Sequence, residues 1–162
     1  MRNLVYLSLG SNGGDRAQHL LDAISRLASA GRVVSVSSFY ETEPVEFTAQ
    51  AWFLNCAVAL ETTQTPAELM AALLSIEKEM GRERTQSKGP RMIDIDVLLY
   101  GDAVVSSPEL TIPHLAMHER RFVLEPLSEI APEARHPILN KTARELCDEL
   151  PAGQAVRKLH SK

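Results

Sequence analysis

The chain has 162 residues, 44% of them hydrophobic and 23% charged, with a formal net charge of −4 at pH 7. That length predicts one domain over residues 1–162 with a proper core, and the negative balance argues against a nucleic-acid partner held by overall positive potential. No apolar run approaches a transmembrane span, and the N-terminal stretch to Asn12 is too short and too polar for a signal peptide. Cys56 and Cys147 lack metal-ligand spacing, so they read as reduced thiols of a cytoplasmic protein that meets no membrane.

Leu4–Leu9 reads as a first strand running into the glycine-rich turn Gly10-Ser11-Asn12-Gly13-Gly14, whose spacing is neither that of a dinucleotide fold nor that of a P-loop. Asp15 opens a helix with the apolar stripe Ala17, Leu20, Leu21, Ile24, Leu27 and Ala28, and Gly31 stops it. Val33–Tyr40 is a second strand, followed by a long loop from Glu41 to Gln50. Trp52–Leu60 is a third, with Phe53, Asn55, Ala57 and Ala59 on one face. Asn55 is either a satisfied structural amide or a donor–acceptor pair that reads a planar heterocycle. Thr65-Pro66-Ala67-Glu68 is a capping box, and Leu69, Leu73, Ile76 and Met80 are the stripe of a helix ended by Gly81.

Next comes a polar, basic loop containing Arg82, Arg84, Lys88 and Arg91, which leads into the strand Met92–Tyr100. Asp94 and Asp96 project from one face of that strand, roughly 6.6 Å apart, while Ile93, Ile95, Val97 and Leu99 fill the other. Such a pair either meets solvent at a sheet edge or grips a hard divalent cation. The apolar flanks and the cations just upstream favour a metal–polyphosphate site. Further on, Ala103–Val105 and Leu110–Ile112 are short strands, His114 follows a proline, Met117–Ile130 is helical despite Pro126, with Phe122, Leu124, Leu127 and Ile130 as its inner residues, Thr142–Leu150 is a last helix, and Gln154–Lys162 is a frayed tail. The order βαββαβ predicts an α+β fold, a ferredoxin-like α/β sandwich of mainly antiparallel sheet with helices packed on it.

Leu9-Gly10-Ser11-Asn12, Ser37-Ser38-Phe39-Tyr40-Glu41-Thr42, Phe53-Leu54-Asn55, Gly81-Arg82, Gly89-Pro90-Arg91-Met92-Ile93-Asp94-Ile95-Asp96, Ile112-Pro113-His114 and Arg120-Arg121-Phe122 together resemble the 6-hydroxymethyl-7,8-dihydropterin pyrophosphokinases of folate biosynthesis. The resemblance implies transfer of pyrophosphate from ATP to the pterin's hydroxymethyl oxygen, with release of AMP, by a monomer. It implies two Mg²⁺ ions on Asp94 and Asp96, with Arg82 and Arg91 as catalytic cations on the transferred group. Nucleotide contacts fall on Arg84, His114 and Arg120, with Glu77 and Thr111 as supports near the nucleoside; the pterin pocket falls on Thr42, Val45, Phe53, Asn55 and Phe122. It also implies closure of the Arg82–Gly89 loop over bound nucleotide. The chain departs from the family's habit at Glu43, Phe53, Lys88 and Leu115, where a proline, a tyrosine, a tryptophan and an aromatic are common. A two-metal nucleotidyltransferase or nuclease and a small-molecule-sensing domain are the rival readings; the first needs a third carboxylate and a nucleic-acid track, against which the negative net charge and scarce aromatics speak, and the second leaves the aspartate pair and the arginine loop unexplained.

Overall fold

A computed structural model describes residues 2–42, 52–81, 92–151 and 156–159. Its framework is a six-stranded antiparallel sheet. Strand β1 (Asn3–Ser11) lies between β4 (Phe53–Thr62) and β5 (Asp94–Tyr100); β2 (Arg32–Val36) and β3 (Tyr40–Thr42) both pair with β4, at its two ends. Helix α1 (Arg16–Arg26) follows β1, and α2 (Pro66–Glu79) follows β4. Counting β2 and β3 as one split strand, this is the ferredoxin-like α+β arrangement that the element order predicts.

The strand expected over Val33–Tyr40 is broken at Ser37. The Ser37 hydroxyl oxygen accepts the Ala57 N–H at 2.8 Å, standing in for a ladder carbonyl, and itself donates to the Ser38 carbonyl at 2.7 Å. A buried side chain thus replaces one step of backbone pairing, and the strand is interrupted over Ser37–Phe39.

Helix α1 is capped by the Asp15 carboxylate on the Gln18 N–H, and its last turn tightens to a 3-10 turn over Leu27–Ser29. Its inner face is Leu20, Ala23 and Leu27, with Ile24 half-buried; Ala17, Leu21 and Ala28, assigned to the stripe from sequence, face solvent. The predicted capping box on Thr65 and Glu68 is present, and Leu69, Leu73 and Ile76 are buried as predicted. With Val5, Leu7 and Leu9 of β1 and Leu54, Cys56, Val58 and Leu60 of β4 they form the first core, on one face of the sheet.

The second core covers part of the other face, where Ala57, Leu98 and Leu99 meet α3 (Arg121–Ile130) and α4 (Ala143–Asp148). Two expectations change here. Pairing of β5 with β1 slips between Tyr6 and Leu7, so Leu98 is an extra residue; Leu99 therefore joins the second core, and Tyr100 the first. The helix expected from Met117 is a 3-10 turn over Met117–Glu119, a non-helical Arg120 and then α3, in which Phe122 and Ile130 are only half-buried.

Between β5 and α3 the chain forms the hairpin β6 (Val105–Ser106) and β7 (Thr111–Ile112), and β8 (Arg135–His136) pairs with β9 (Lys141–Thr142) before α4. The tail is not wholly frayed: β10 (Val156–Lys158) pairs with β3, and the Leu159 N–H donates to the Phe39 carbonyl at 2.8 Å. The open ladder of β3 supplies its partners. Both cysteines are free thiols, and burial pushes that of Cys56 up to about 12. Among the described residues no helix is long and apolar enough to cross a membrane.

Candidate active site

Three registers bring the site together. Asp94 of β5 lies opposite Gly10 of β1, Gly10 opposite Asn55 of β4, and Asn55 opposite Tyr40 of β3. One row along, Asp96 faces Ser8 and Ser8 faces Ala57. Residues directly opposite in an antiparallel sheet share a face, so the aspartates, Asn55 and Phe53 all project from the face that carries α3 and α4. With strands about 4.8 Å apart, Asp94 and Asn55 stand about 10 Å from each other across Gly10.

Strand β5 is a terminal strand of the sheet; Asp94 is half-buried and Asp96 exposed. The apolar flanks imply a closed face, and here the structure differs: Ile93, Ile95 and Val97 point into the first core, and Asp96 on the opposite face is exposed. Glu77 of α2, itself buried, supports the strand from that side: its carboxylate accepts the Ile95 N–H at 2.7 Å, between the two aspartates. Beside Asp96 sits His114. Burial lowers its pKa, Asp96 raises it, Arg120 lowers it again, and the net position is below the ordinary value. Its Nδ1 accepts the Ala116 N–H at 3.3 Å, so the neutral ring carries its proton on Nε2 and can donate from there. The Arg120 guanidinium lies 5.6 Å from the centroid of the Phe122 ring, a cation–π distance. Thr111 is exposed on β7.

At the other end of the row, the buried Thr42 hydroxyl donates to Asn55 Oδ1 at 2.6 Å, and Asn55 Nδ2 donates to the Leu9 carbonyl at 3.4 Å. Both polar atoms of the amide thus have a partner within the protein, and an amide has the capacity for one further N–H and one further lone-pair contact. Gly10 makes this possible: a Cβ there would stand 2.5 Å from Asn55 Nδ2 and 3.6 Å from a ring carbon of Phe53. Sequence reading assigned Gly10 to a turn, although a glycine inside an apolar strand is itself a signal of close approach. Arg82, Arg84, Arg91 and Val45, together with Glu43, Lys88 and the loop closure over Arg82–Gly89, lie outside the described residues. Among the described residues no group of three or more His, Cys, Asp or Glu side chains is arranged to hold a metal ion.

The family described as 7,8-dihydro-6-hydroxymethylpterin-pyrophosphokinase (HPPK) matches residues 6–132. The chain is 49% identical over 151 residues to a 2-amino-4-hydroxy-6-hydroxymethyldihydropteridine pyrophosphokinase of Methylorubrum extorquens, covering 91% of this chain and 94% of that protein. It is 46% identical over 156 residues to the folic acid synthesis protein fol1 of Schizosaccharomyces pombe, covering 95% of this chain but spanning only 21% of that longer protein. In fold it is similar to the wild-type HPPK-DHPS of Plasmodium falciparum crystallised with pteroate, with a TM-score of 0.74 at 18% identity over 92% of this chain and 42% of that one. On this likeness, and on the motifs that the sheet gathers onto one face, the chain belongs to the 7,8-dihydro-6-hydroxymethylpterin-pyrophosphokinase family.

Proposed function

We propose that this chain transfers the pyrophosphoryl group of ATP to the hydroxymethyl oxygen of 6-hydroxymethyl-7,8-dihydropterin, releasing AMP, as a step of folate biosynthesis. One observation carries the proposal: in a member of this family, the carboxylate pair and the hydrogen-bonded Thr42–Asn55 pair share one sheet face, with side-chain-free Gly10 between Asp94 and Asn55. The substrate hydroxyl would attack the β-phosphorus, the bond to the α-phosphate oxygen would break, and the hydroxyl proton would pass to solvent. Little covalent chemistry is left to side chains in such a transfer, so placement and charge neutralisation dominate.

Two carboxylates are too few for a resident metal cage, and they suit Mg²⁺, which is typically held by one or two carboxylates plus substrate phosphates and water. Asp94 and Asp96 would hold two such ions, which when bound neutralise polyphosphate charge and polarise the attacking hydroxyl. The Nε2–H of His114, which lies beside Asp96, and the guanidinium of Arg120, near the same ring, would bind the nucleotide's phosphate oxygens. Thr111 would support the nucleoside side. Glu77 would act from behind, fixing the strand between the aspartates. Phe53 and Phe122 would stack the pterin ring, and Thr42 and Asn55 would read its edge. Arg82 and Arg91 on the transferred group, Arg84 on the nucleotide and Val45 at the pterin complete the assignment by family resemblance.

We also assign the whole of residues 1–162 to one catalytic unit, a cytoplasmic monomer acting on small molecules. AMP release from ATP, with and without reduced hydroxymethylpterin, tests the reading. AMP formation that depends on the pterin is the expected result; binding without turnover, or nucleotide transfer to nucleic acid, would replace it.

A further inference from the structure

We infer that Arg16 is a positioning residue for the pterin side of the site, a clip across the two stems of chain that carry Thr42 and Phe53. The inference rests on the function proposed above. Thr42 ends β3, Phe53 begins β4, and the two are paired in register. Immediately before each stands a residue that Arg16 holds. Its Nη1 donates to the Trp52 carbonyl at 2.7 Å, and its Nη2 donates to the Glu41 carboxylate at 2.8 Å. One guanidinium thereby ties both stems to the start of α1.

The other Glu41 oxygen accepts from Arg157 of β10, whose guanidinium also lies 5.9 Å from the centroid of the Trp52 ring. The two halves of this cluster are unequal. Arg16 and Glu41 side chains are 27% and 16% exposed, whereas Arg157 is 69% exposed. Solvent screens the outer pair, and the sheltered inner pair keeps its strength. Hydrogen bonds from Arg157 and Arg16 hold the Glu41 carboxyl below its ordinary pKa, so it is a fixed anion at neutral pH.

By strand alternation Glu41 points away from the face that bears Thr42 and Asn55. Among the described residues the cluster makes no hydrogen bond to the side chains of Thr42, Phe53, Asn55 or Phe122, and it acts through the backbone: it sets where Thr42 and Phe53 sit relative to Asn55. Both fork arms are needed for this. A lysine at position 16 keeps the charge but cannot span two acceptors in a fixed plane.

The test is the KM for each substrate in wild type, Arg16→Ala, Arg16→Lys and Arg157→Ala, with thermal melting alongside. Both Arg16 variants are expected to raise the pterin KM about five- to tenfold while the ATP KM stays within about twofold, and Arg157→Ala to move the pterin KM by no more than about twofold. Should Arg16→Ala fail to fold, Arg16→Lys and Glu41→Gln give the same comparison. An unmoved pterin KM in an active Arg16 variant, whatever its melting temperature, overturns the clip. Full rescue by lysine, or parallel rises in both KM values, overturns it too. Wild-type protein that releases no AMP overturns the functional proposal and the clip together.

Discussion

At Gly10 a hydrogen in place of a methyl group lets the Asn55 amide lie across β1. With a Cβ only 2.5 Å from Asn55 Nδ2, Gly10→Ala must displace that amide from Thr42 or from the Leu9 carbonyl. Pterin affinity is expected to fall about tenfold or more, with the affinity for an ATP analogue unchanged, by calorimetry. The same substitution in an Asn55→Ala background should add little, because the clash partner is gone; fully additive losses would separate the two residues. Across the row, Asp94→Ala and Asp96→Ala each remove a carboxylate proposed to hold Mg²⁺, a loss expected to raise the barrier by several kcal/mol. Circular dichroism should be unchanged, since Asp96 is exposed and Asp94 half-buried. AMP release near the wild-type rate by either variant would remove the metal assignment.

Strand β5 has no described strand on its far side, and α2 supplies what a neighbour would have given. Glu77 accepts the Ile95 N–H, so Glu77→Ala leaves a buried donor unpaired, at a cost of about 1–3 kcal/mol in urea unfolding. Glu77→Gln keeps an acceptor and should recover most of that loss. If alanine costs no more than glutamine, the bond does not hold the strand. Similarly, Glu129 of α3 gathers the Ser38 N–H and hydroxyl, each at 3.0 Å, and the Tyr40 hydroxyl at 2.7 Å. Burial raises its pKa, but those three donors outweigh burial and hold it below its ordinary value; burial first, and then the bond to the Glu129 carboxylate, push that of Tyr40 up. The Ser-Ser-Phe-Tyr motif is thus the joint at which an interrupted strand receives a helix.

For the molecule as a whole, acid is the predictable weakness. His136 is buried, and its Nδ1 accepts the Ile138 and Leu139 N–H groups at 3.3 and 3.1 Å, which requires that nitrogen to be unprotonated. Burial first, and then the nearby His118 ring 6.3 Å away, lower its pKa from the ordinary 6.5. A depressed folded pKa means that the unfolded chain binds the proton more readily. The contribution is therefore full above pH 6.5 and is lost as pH falls through the folded value. Melting temperature should drop across that window, and His136→Gln should flatten the drop; an identical pH profile in the variant would place the acid sensitivity elsewhere.

Local chemistry alone determined several elements: the capping box at Thr65, the buried stripe of α2, the alternation that puts Asp94 with Asp96 and Phe53 with Asn55, and the order of strands and helices that selects the α+β class. Those signals are periodic or near in sequence, so a single chain displays them. Tertiary structure decided what depends on a partner far along the chain. The break at Ser37 needs the Ala57 N–H, the pairing of β10 needs the ladder of β3, and the swap of Leu99 and Tyr100 between cores needs one register slip against β1. Gly10 looks like part of a turn until Asn55 is laid across it, and nothing local marks Arg16 until two stems meet at its fork. In each case the deciding contact joins residues about twenty or more positions apart, a separation at which propensity is silent and only packing selects.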